Sequence, residues 1–391
     1  MKITYFNYMA DLYGYSIGST IKALKLFQKL ESIGHTIFFH WLGEFYGTRE
    51  APQAEQRSPS LLRAFFFTPR QILGNISQFF LERKIIKKEN PEMLVARLDA
   101  FRFSALLVAR LYHLPLVIEA DGACSYEWLT FNNGPHIWDR LLLWCEKIVL
   151  RHADGIFTQS CVAKEYYIKT HKLDKDALTV ITNGADPVEK ASDERLAELR
   201  QELGIYKASR VVGFVGSMQQ WHGVQEVQNL VRDVLQAFDD VVFLFIGGGG
   251  TLEQELVNNL NASNGRVIFT GTLPNNVVSD YIQLFTIAIA PYPPIDLFYF
   301  SPMKVFEYMA AQVPIIASRS GQIAQILQDR ESALLYEPGD IGQLREKIVF
   351  LLNNLPLQKK IARNAHDSFV EWHTWSNKAN ELDEYLNRCR T

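Results

Sequence analysis

The sequence predicts an α/β fold of two doubly wound, Rossmann-like domains. Short β-branched and aromatic runs alternate with longer amphipathic runs along the chain, as βαβ units and parallel sheets require. The alternation pauses at a polar stretch, Glu189-Lys-Ala-Ser-Asp-Glu-Arg195, and restarts at Arg210-Val-Val-Gly-Phe-Val-Gly216. The chain has 391 residues, enough for two or three domains at about 100–200 residues each.

The elements follow in order. Strand 2–7, loop 8–17, helix 18–33 and strand 36–41 make the first unit, with Gly34 ending the helix. Later strands of this half are expected at 93–96, 116–120, 155–159 and 178–182. In the second half, strands are expected at 211–216, 241–246, 266–269, 287–290, 314–317 and 333–336. Helices are expected at 223–237, 251–260, 275–285, 302–311, 340–354 and 356–370. A last amphipathic helix runs from His373 to Asn387 after a Trp-Ser start. Two such domains imply a cleft between them, and ligands bind at the carboxyl ends of such strands.

Composition narrows the function classes. Hydrophobic residues make up 48% and charged residues 21%, which excludes disordered, collagen-like and coiled-coil chains. The four cysteines, Cys124, Cys145, Cys161 and Cys389, form no CxxC pair and no zinc spacing, so reduced thiols in a cytoplasmic protein are expected. The start lacks a signal peptide's apolar core, and no apolar run reaches the roughly 18–20 residues of a membrane span. Net charge is −3, from 40 Lys+Arg against 43 Asp+Glu, which argues against a general nucleic-acid binder. The halves differ: residues 1–188 hold 22 basic and 19 acidic residues, leaving 18 and 24 for 189–391.

The most informative segment is Ser301-Pro-Met-Lys-Val-Phe-Glu-Tyr-Met-Ala-Ala-Gln-Val-Pro-Ile-Ile-Ala-Ser318. Pro302 suits a first helical turn. Free N–H groups and the positive dipole end there hold phosphate. Lys304 in that turn opposes the dipole, a cost that makes sense where an anion binds. Glu307 lies one turn later on the same face, where a carboxylate accepts hydrogen bonds from a ribose diol. The alternative is a surface Lys–Glu pair. Around this segment stand Thr179-Val-Ile-Thr-Asn-Gly-Ala-Asp186, Gly213-Phe-Val-Gly-Ser-Met-Gln-Gln-Trp-His-Gly223, Phe245-Ile-Gly-Gly-Gly-Gly250, Val267-Ile-Phe-Thr-Gly-Thr-Leu273 and Ile289-Ala-Pro-Tyr292. Each alone is turn geometry; their order and spacing together are specific.

That ordered set resembles the retaining glycosyltransferases of family 4 (glycosyl transferases group 1), which have the GT-B fold. The resemblance runs from about residue 2 to the C-terminus and is strongest over 178–336. It implies a hexosyltransferase whose nucleotide-sugar donor lies in the interdomain cleft, held mainly by the second domain. It also implies retention at the anomeric carbon and no metal or other cofactor. The expected domains are 1–188 on the acceptor side, 189–370 on the donor side, and a helix, 371–391, packing back on the first.

The resemblance carries over residue by residue. The family's ribose glutamate falls on Glu307, and the glutamate that touches the donor sugar falls on Tyr299. The diphosphate-binding Arg and Lys of the first loop of the second domain fall on Ser217 and His222, so the fixed charge is expected to move to Lys304. Ser217, His222 and amides near Gly223 would add hydrogen bonds. Gly216, Gly247, Gly248, Ser301, Pro302 and Met303 complete the expected phosphate surroundings, and backbone at Thr272 and Leu273 the base contact. In the first domain, Gly14 and Gly18 of Asp11-Leu-Tyr-Gly-Tyr-Ser-Ile-Gly-Ser19 allow close approach to a diphosphate or acceptor. Asp121 matches the active-site position after strand 116–120, with Glu127 a second candidate; either would orient the acceptor hydroxyl or take its proton. Glu119 points to the opposite side from Ala120 and reads as structural.

Residues 57–88 hold seven Lys/Arg and one Glu with partial helical spacing of apolar residues. They read either as a basic amphipathic helix on an anionic membrane surface, peripheral at its inner face, or as a helix packed on the sheet with a solvated edge. The acceptor is a saccharide, a lipid-linked sugar or a small hydroxyl compound. Two other classes remain open: a nucleotide-sugar 2-epimerase on the same fold, and a non-catalytic sugar-nucleotide-binding partner subunit.

Overall fold

The structure is a computed structural model that describes residues 1–8, 17–42, 61–131, 136–223, 227–249, 253–260 and 265–390. These residues form two compact units, Met1–Thr182 with Trp375–Thr391, and Asn183–Thr374. The divisions thus fall at Thr182–Asn183 and Thr374–Trp375, where 188/189 and 370/371 were expected.

The first unit contains β1 (Lys2–Asn7), α1 (Ile17–Ser32), β2 (Thr36–Trp41), α2 (Leu61–Glu89), β3 (Met93–Arg97), α3 (Ser104–Tyr112), β4 (Leu116–Ala120), α4 (Cys124–Phe131), α5 (Asp139–His152), β5 (Gly155–Thr158), α6 (Cys161–His171) and β6 (Leu178–Val180). All six strands are parallel, in the order β2-β1-β3-β4-β5-β6. The chain steps from β1 to β2 on one side and resumes at β3 on the other, so the topological switch lies between β1 and β3. Gly34 ends α1 with φ +103°, its N–H donating to the Glu31 carbonyl at 3.1 Å. The C-terminal helix, Trp375–Cys389, belongs to this unit and packs against α1. Its Tyr385 hydroxyl accepts from Ile156 N at 2.7 Å and donates to the Ile156 carbonyl at 3.0 Å.

The second unit runs α7 (Asp193–Glu202), β7 (Arg210–Val215), α8 (Val227–Ala237), β8 (Val241–Ile246), α9 (Glu253–Leu260), β9 (Val267–Phe269), α10 (Asn275–Ile282), β10 (Ile287–Ala290), α11 (Met303–Ala310), β11 (Ile315–Ser318), α12 (Ile323–Ile326), β12 (Leu334–Tyr336), α13 (Ile341–Leu352) and α14 (Leu355–Ser368). Its strands order β12-β11-β10-β7-β8-β9, all parallel, with the switch between β7 and β10. Local pattern explains most of these elements. In α8, Val227, Leu230, Val231, Val234 and Leu235 are buried, the stripe of an amphipathic helix.

Two expectations need correction. The polar stretch after Glu189 is not all connector. Ser192 accepts from Arg195 N at 3.1 Å, and Asp193 and Glu194 fill the first turn of α7. A capping serine followed by acids starts a helix, and those polar residues complement its dipole. A π-helical turn, Phe369–His373, also follows α14, so the last helix begins at Trp375 rather than at 373.

Candidate functional site

The carboxyl ends of β7, β8 and β9 are stitched together through backbone. Gly216 N donates to the Ile246 carbonyl at 2.9 Å, Met218 N to the Gly249 carbonyl at 2.9 Å, and Gly247 N to the Gly271 carbonyl at 3.0 Å. A Cβ on Gly247 would stand 2.5 Å from the Gly216 carbonyl oxygen, and its φ is +113°. Glycine is therefore required there by close backbone approach. At the switch, the Tyr308 hydroxyl of α11 accepts from Val215 N at 2.8 Å and donates to the Ile289 carbonyl at 3.3 Å. It ties α11 to the ends of both β7 and β10. Asn183 holds the entrance to that helix, its N–H on Ser301 Oγ at 2.9 Å and its side-chain amide on the Ser301 carbonyl at 2.6 Å. The sequence marked the Asn183 turn only as a strand ending.

Pro302 is the N-cap of α11, and no side chain caps the helix; Val305 N donates to the Pro302 carbonyl at 3.1 Å, which leaves the amides of Met303 and Lys304 to meet a ligand. Lys304 lies in this turn and is 7% exposed. Its Nζ has no hydrogen-bond partner. It stands 4.0 Å from the centre of the Phe214 ring and 5.2 Å from that of Tyr292. Aromatic faces attract a desolvated cation by about 2 kcal/mol, which offsets part of the cost of burying it. A Cβ on Gly216 would be 2.8 Å from this Nζ, so the glycine makes room for it. Burial pulls the Lys304 ammonium down to about 7, and the Glu307 charge resists. Glu307 is half-buried. Burial pushes its carboxyl up to about 6, with Lys304 acting the other way. Among the described residues the two make no ion pair within 4.0 Å, so the surface Lys–Glu pair is not what the fold builds.

His222 departs from expectation. Its Nδ1 is 2.7 Å from the Ser217 carbonyl oxygen, which requires the proton on Nδ1 and leaves Nε2 an acceptor. Burial first, and then the Lys304 charge, lower its pKa to about 3. In the empty site the imidazole is neutral with Nε2 as its acceptor, which differs from the donor role expected for it. Ser217 Oγ lies 3.4 Å from the same Nδ1.

The remaining expected residues divide. Ser301 and Pro302 are buried and Met303 half-buried at the start of α11. Tyr299 is buried, its ring 4.4 Å from that of Phe300. Gly223 has φ +65° at the end of the β7 loop, and Gly248 lies in the loop after β8. Thr272 is exposed, and Leu273 packs on the core. Gly14 lies outside the described residues, and Gly18 is in the first turn of α1. Among the described residues no group of three or more His, Cys, Asp or Glu side chains is placed to hold a metal ion.

The family model for Glycosyl transferases group 1 matches residues 209–354, and that for Glycosyltransferase Family 4 matches residues 23–189. The chain belongs to the family 4, group 1 glycosyltransferases. It is 22% identical to the D-inositol 3-phosphate glycosyltransferase of Corynebacterium kroppenstedtii over 61% of this chain and 54% of the relative, so the match spans about half that relative's length. It is 20% identical to the alpha-D-kanosaminyltransferase of Streptomyces kanamyceticus over 75% of this chain and 76% of that one. A Rickettsia africae glycosyltransferase superposes with a TM-score of 0.73 at 16% identity, covering 99% of this chain and 98% of that one. Anabaena HepE in complex with UDP gives 0.70 at 17% identity, covering 99% and 100%. These likenesses show the GT-B fold.

In the glycosyltransferase's first unit, Asp121 follows β4 and is buried. One carboxylate oxygen pairs with Lys22 of α1, and the other is 2.8 Å from Arg97 of β3. Lys22 also reaches Glu119 at 2.9 Å, and Glu119 accepts from the Tyr5 hydroxyl at 2.5 Å. Arg97 and Glu119 are register partners in adjacent strands. Burial disfavours the Lys22 ammonium, but Asp121 and then Glu119 more than offset this, and its pKa is raised. Both Asp121 oxygens are thus engaged by cations, and the side chain does not stand free for an acceptor. Glu127 is exposed in the first turn of α4. Sequence reasoning missed Lys22 and Arg97. The available signal was Glu119 inside the apolar run of β4 and Arg97 closing that of β3, where a buried charge needs a partner.

Proposed function

We propose that this glycosyltransferase moves a sugar from a nucleoside-diphosphate sugar to a hydroxyl acceptor with retention of configuration, in polysaccharide or glycolipid synthesis. The observation that carries the donor site is Lys304, a buried amine without a partner, in the first turn of an uncapped helix at the β7/β10 switch. A diphosphate there meets the helix N-terminus and Lys304, while Glu307, one turn on, accepts from the ribose diol. Anabaena HepE holds UDP and UDP-glucose on the same fold, which supports the reading. In the transfer, the bond from the anomeric carbon to the β-phosphate oxygen breaks. The acceptor oxygen bonds to the same face, and its proton passes to the leaving phosphate. Lys304 and the helix N-terminus stabilise the charge on that phosphate, with no metal assigned a part. Asp121 holds Lys22 and Arg97 in place, which leaves the exposed Glu127 as the carboxylate assigned to the acceptor in this reading.

Thermal-shift screening with UDP, GDP, ADP and their sugars, followed by product analysis, tests this reading. A transferred sugar supports it. An isomerised donor would make the protein an epimerase, and binding without turnover a partner subunit.

The acceptor is read as membrane-borne, met at the cytoplasmic face. Among the described residues no helix is long and apolar enough to cross a membrane. Helix α2, however, exposes Leu73 (65%), Ile76 (60%) and Phe80 (60%) beside exposed Arg70, Lys84, Lys87 and Lys88. Apolar side chains flanked by cations suit the interface of an anionic bilayer. Flotation with anionic vesicles should carry the protein and neutral vesicles should not; equal behaviour removes the membrane contact. Residues 57–60 of the basic stretch lie outside the described residues.

A further inference from the structure

Lys304 is built into its site without a counter-charge. Its Nζ is caged by Phe214 and Tyr292, abuts Gly216, has no carboxylate within 4.0 Å among the described residues, and has no hydrogen-bond partner. An ammonium in that cage gains the ring faces and the Glu307 charge beyond 4.0 Å, whereas a neutral amine is desolvated there at a smaller cost. A diphosphate at the start of α11 would supply the missing anion next to the nitrogen. We propose that binding of a nucleoside diphosphate in the second unit takes a proton from solution, and that Lys304 Nζ carries it. This rests on the donor-site reading above and adds a condition on it: the site is charged by its ligand.

The neighbouring titratable groups leave this step to Lys304. On α11, Glu307 titrates at about 6 and is ionised above pH 7, and burial raises the Tyr308 phenol well above its ordinary value. From the β7 loop, His222 is neutral with a pKa of about 3. From the segment after β10, burial and then Glu307 raise the Tyr292 phenol. The loop after β8 contributes glycines. Lys304, at about 7 in the empty site, is the group of this set whose charge changes when an anion arrives at mildly alkaline pH.

The test is calorimetric titration of the full chain with UDP, GDP and ADP between pH 7.5 and 9.0, at constant ionic strength. The terminal phosphate of each ligand is already ionised there, its second pKa being about 6. For a ligand that binds, Kd should weaken about tenfold per pH unit, because one proton must be taken up from solution by an amine that is largely neutral. Repeating the titration at pH 8 in two buffers of different ionisation enthalpy should report uptake of about one proton. Lys304→Met should bind more weakly with a Kd that no longer changes with pH. A flat Kd in the wild type, or a slope that survives in Lys304→Met, overturns the proposal while leaving the donor site standing. Failure of all three nucleotides to bind even at pH 7.5 overturns the donor site and the proposal together.

Discussion

Each unit buries a lysine near the carboxyl ends of its sheet, and the two are opposites. Lys22 is 2% exposed and has two carboxylates, Glu119 at 2.9 Å and Asp121. Lys304 is 7% exposed and has two aromatic rings and no anion. Burial is nearly equal, yet the Lys22 pKa is raised and that of Lys304 falls to about 7. The counter-charge decides the difference. A buried cation whose partner is in the chain is part of the scaffold. One whose partner is missing is stable only as an amine, or with a ligand.

Four variants or conditions would break or sharpen that contrast. The largest effect is expected for Lys22→Met, which leaves Asp121 with Arg97 and the buried Glu119 with the Tyr5 hydroxyl and no ion-pair partner. Losing one partner of a buried ion network costs about 3–5 kcal/mol, read as a lower midpoint in urea. A loss below about 1 kcal/mol would mean the cluster is solvated and the contrast false.

Lys304→Met comes next and should act on binding instead. Loss of a charge contact to a buried phosphate costs about 2–3 kcal/mol, or roughly 30- to 150-fold in nucleotide Kd. The urea midpoint of the empty protein should not fall, because the methionine removes a desolvated amine. A large loss of stability would place Lys304 in the scaffold with Lys22.

The third is a pH dependence. Lys304 titrates at about 7 in the folded chain and near its ordinary value of 10.5 when unfolded. Between these values the unfolded chain binds more protons, so raising the pH should stabilise the empty protein by up to about 1.4 kcal/mol per unit. The difference in stability between wild type and Lys304→Met isolates this slope; the opposite sign would show an unseen anion already on Lys304.

The smallest effect is expected for His222→Ala. A neutral imidazole turned to the Ser217 carbonyl offers no charge, and its loss should weaken nucleotide binding less than about fivefold, near 1 kcal/mol. An effect as large as that of Lys304→Met would return the phosphate contact to the β7 loop.

Much of the fold was legible because it is written locally. The stripe in α8 and the apolar runs of β8 and β10 each lie within one short segment. The segment that starts α11 was legible for the same reason, since its proline, lysine and glutamate fall within two turns of helix. The helix at Asp193 was missed because a capping serine with acids behind it has the composition of a linker. The partners of Asp121 and His222 were not legible because each is a distant or non-helical neighbour: Arg97 and Lys22 in one case, the Ser217 carbonyl in the other.

By itself, then, the amino-acid sequence determined the two α/β units, their glycine-marked strand ends and the helix start that carries Lys304 and Glu307. Those follow from the periodicity and steric demands of neighbouring residues. Only the tertiary structure decided which charges are compensated. Arg97 of β3 meets Asp121 after β4, Lys22 meets both carboxylates from α1, and Lys304 meets none. Desolvation and Coulomb attraction depend on what the fold brings within a few ångströms, and that is not written in the spacing of residues along the chain.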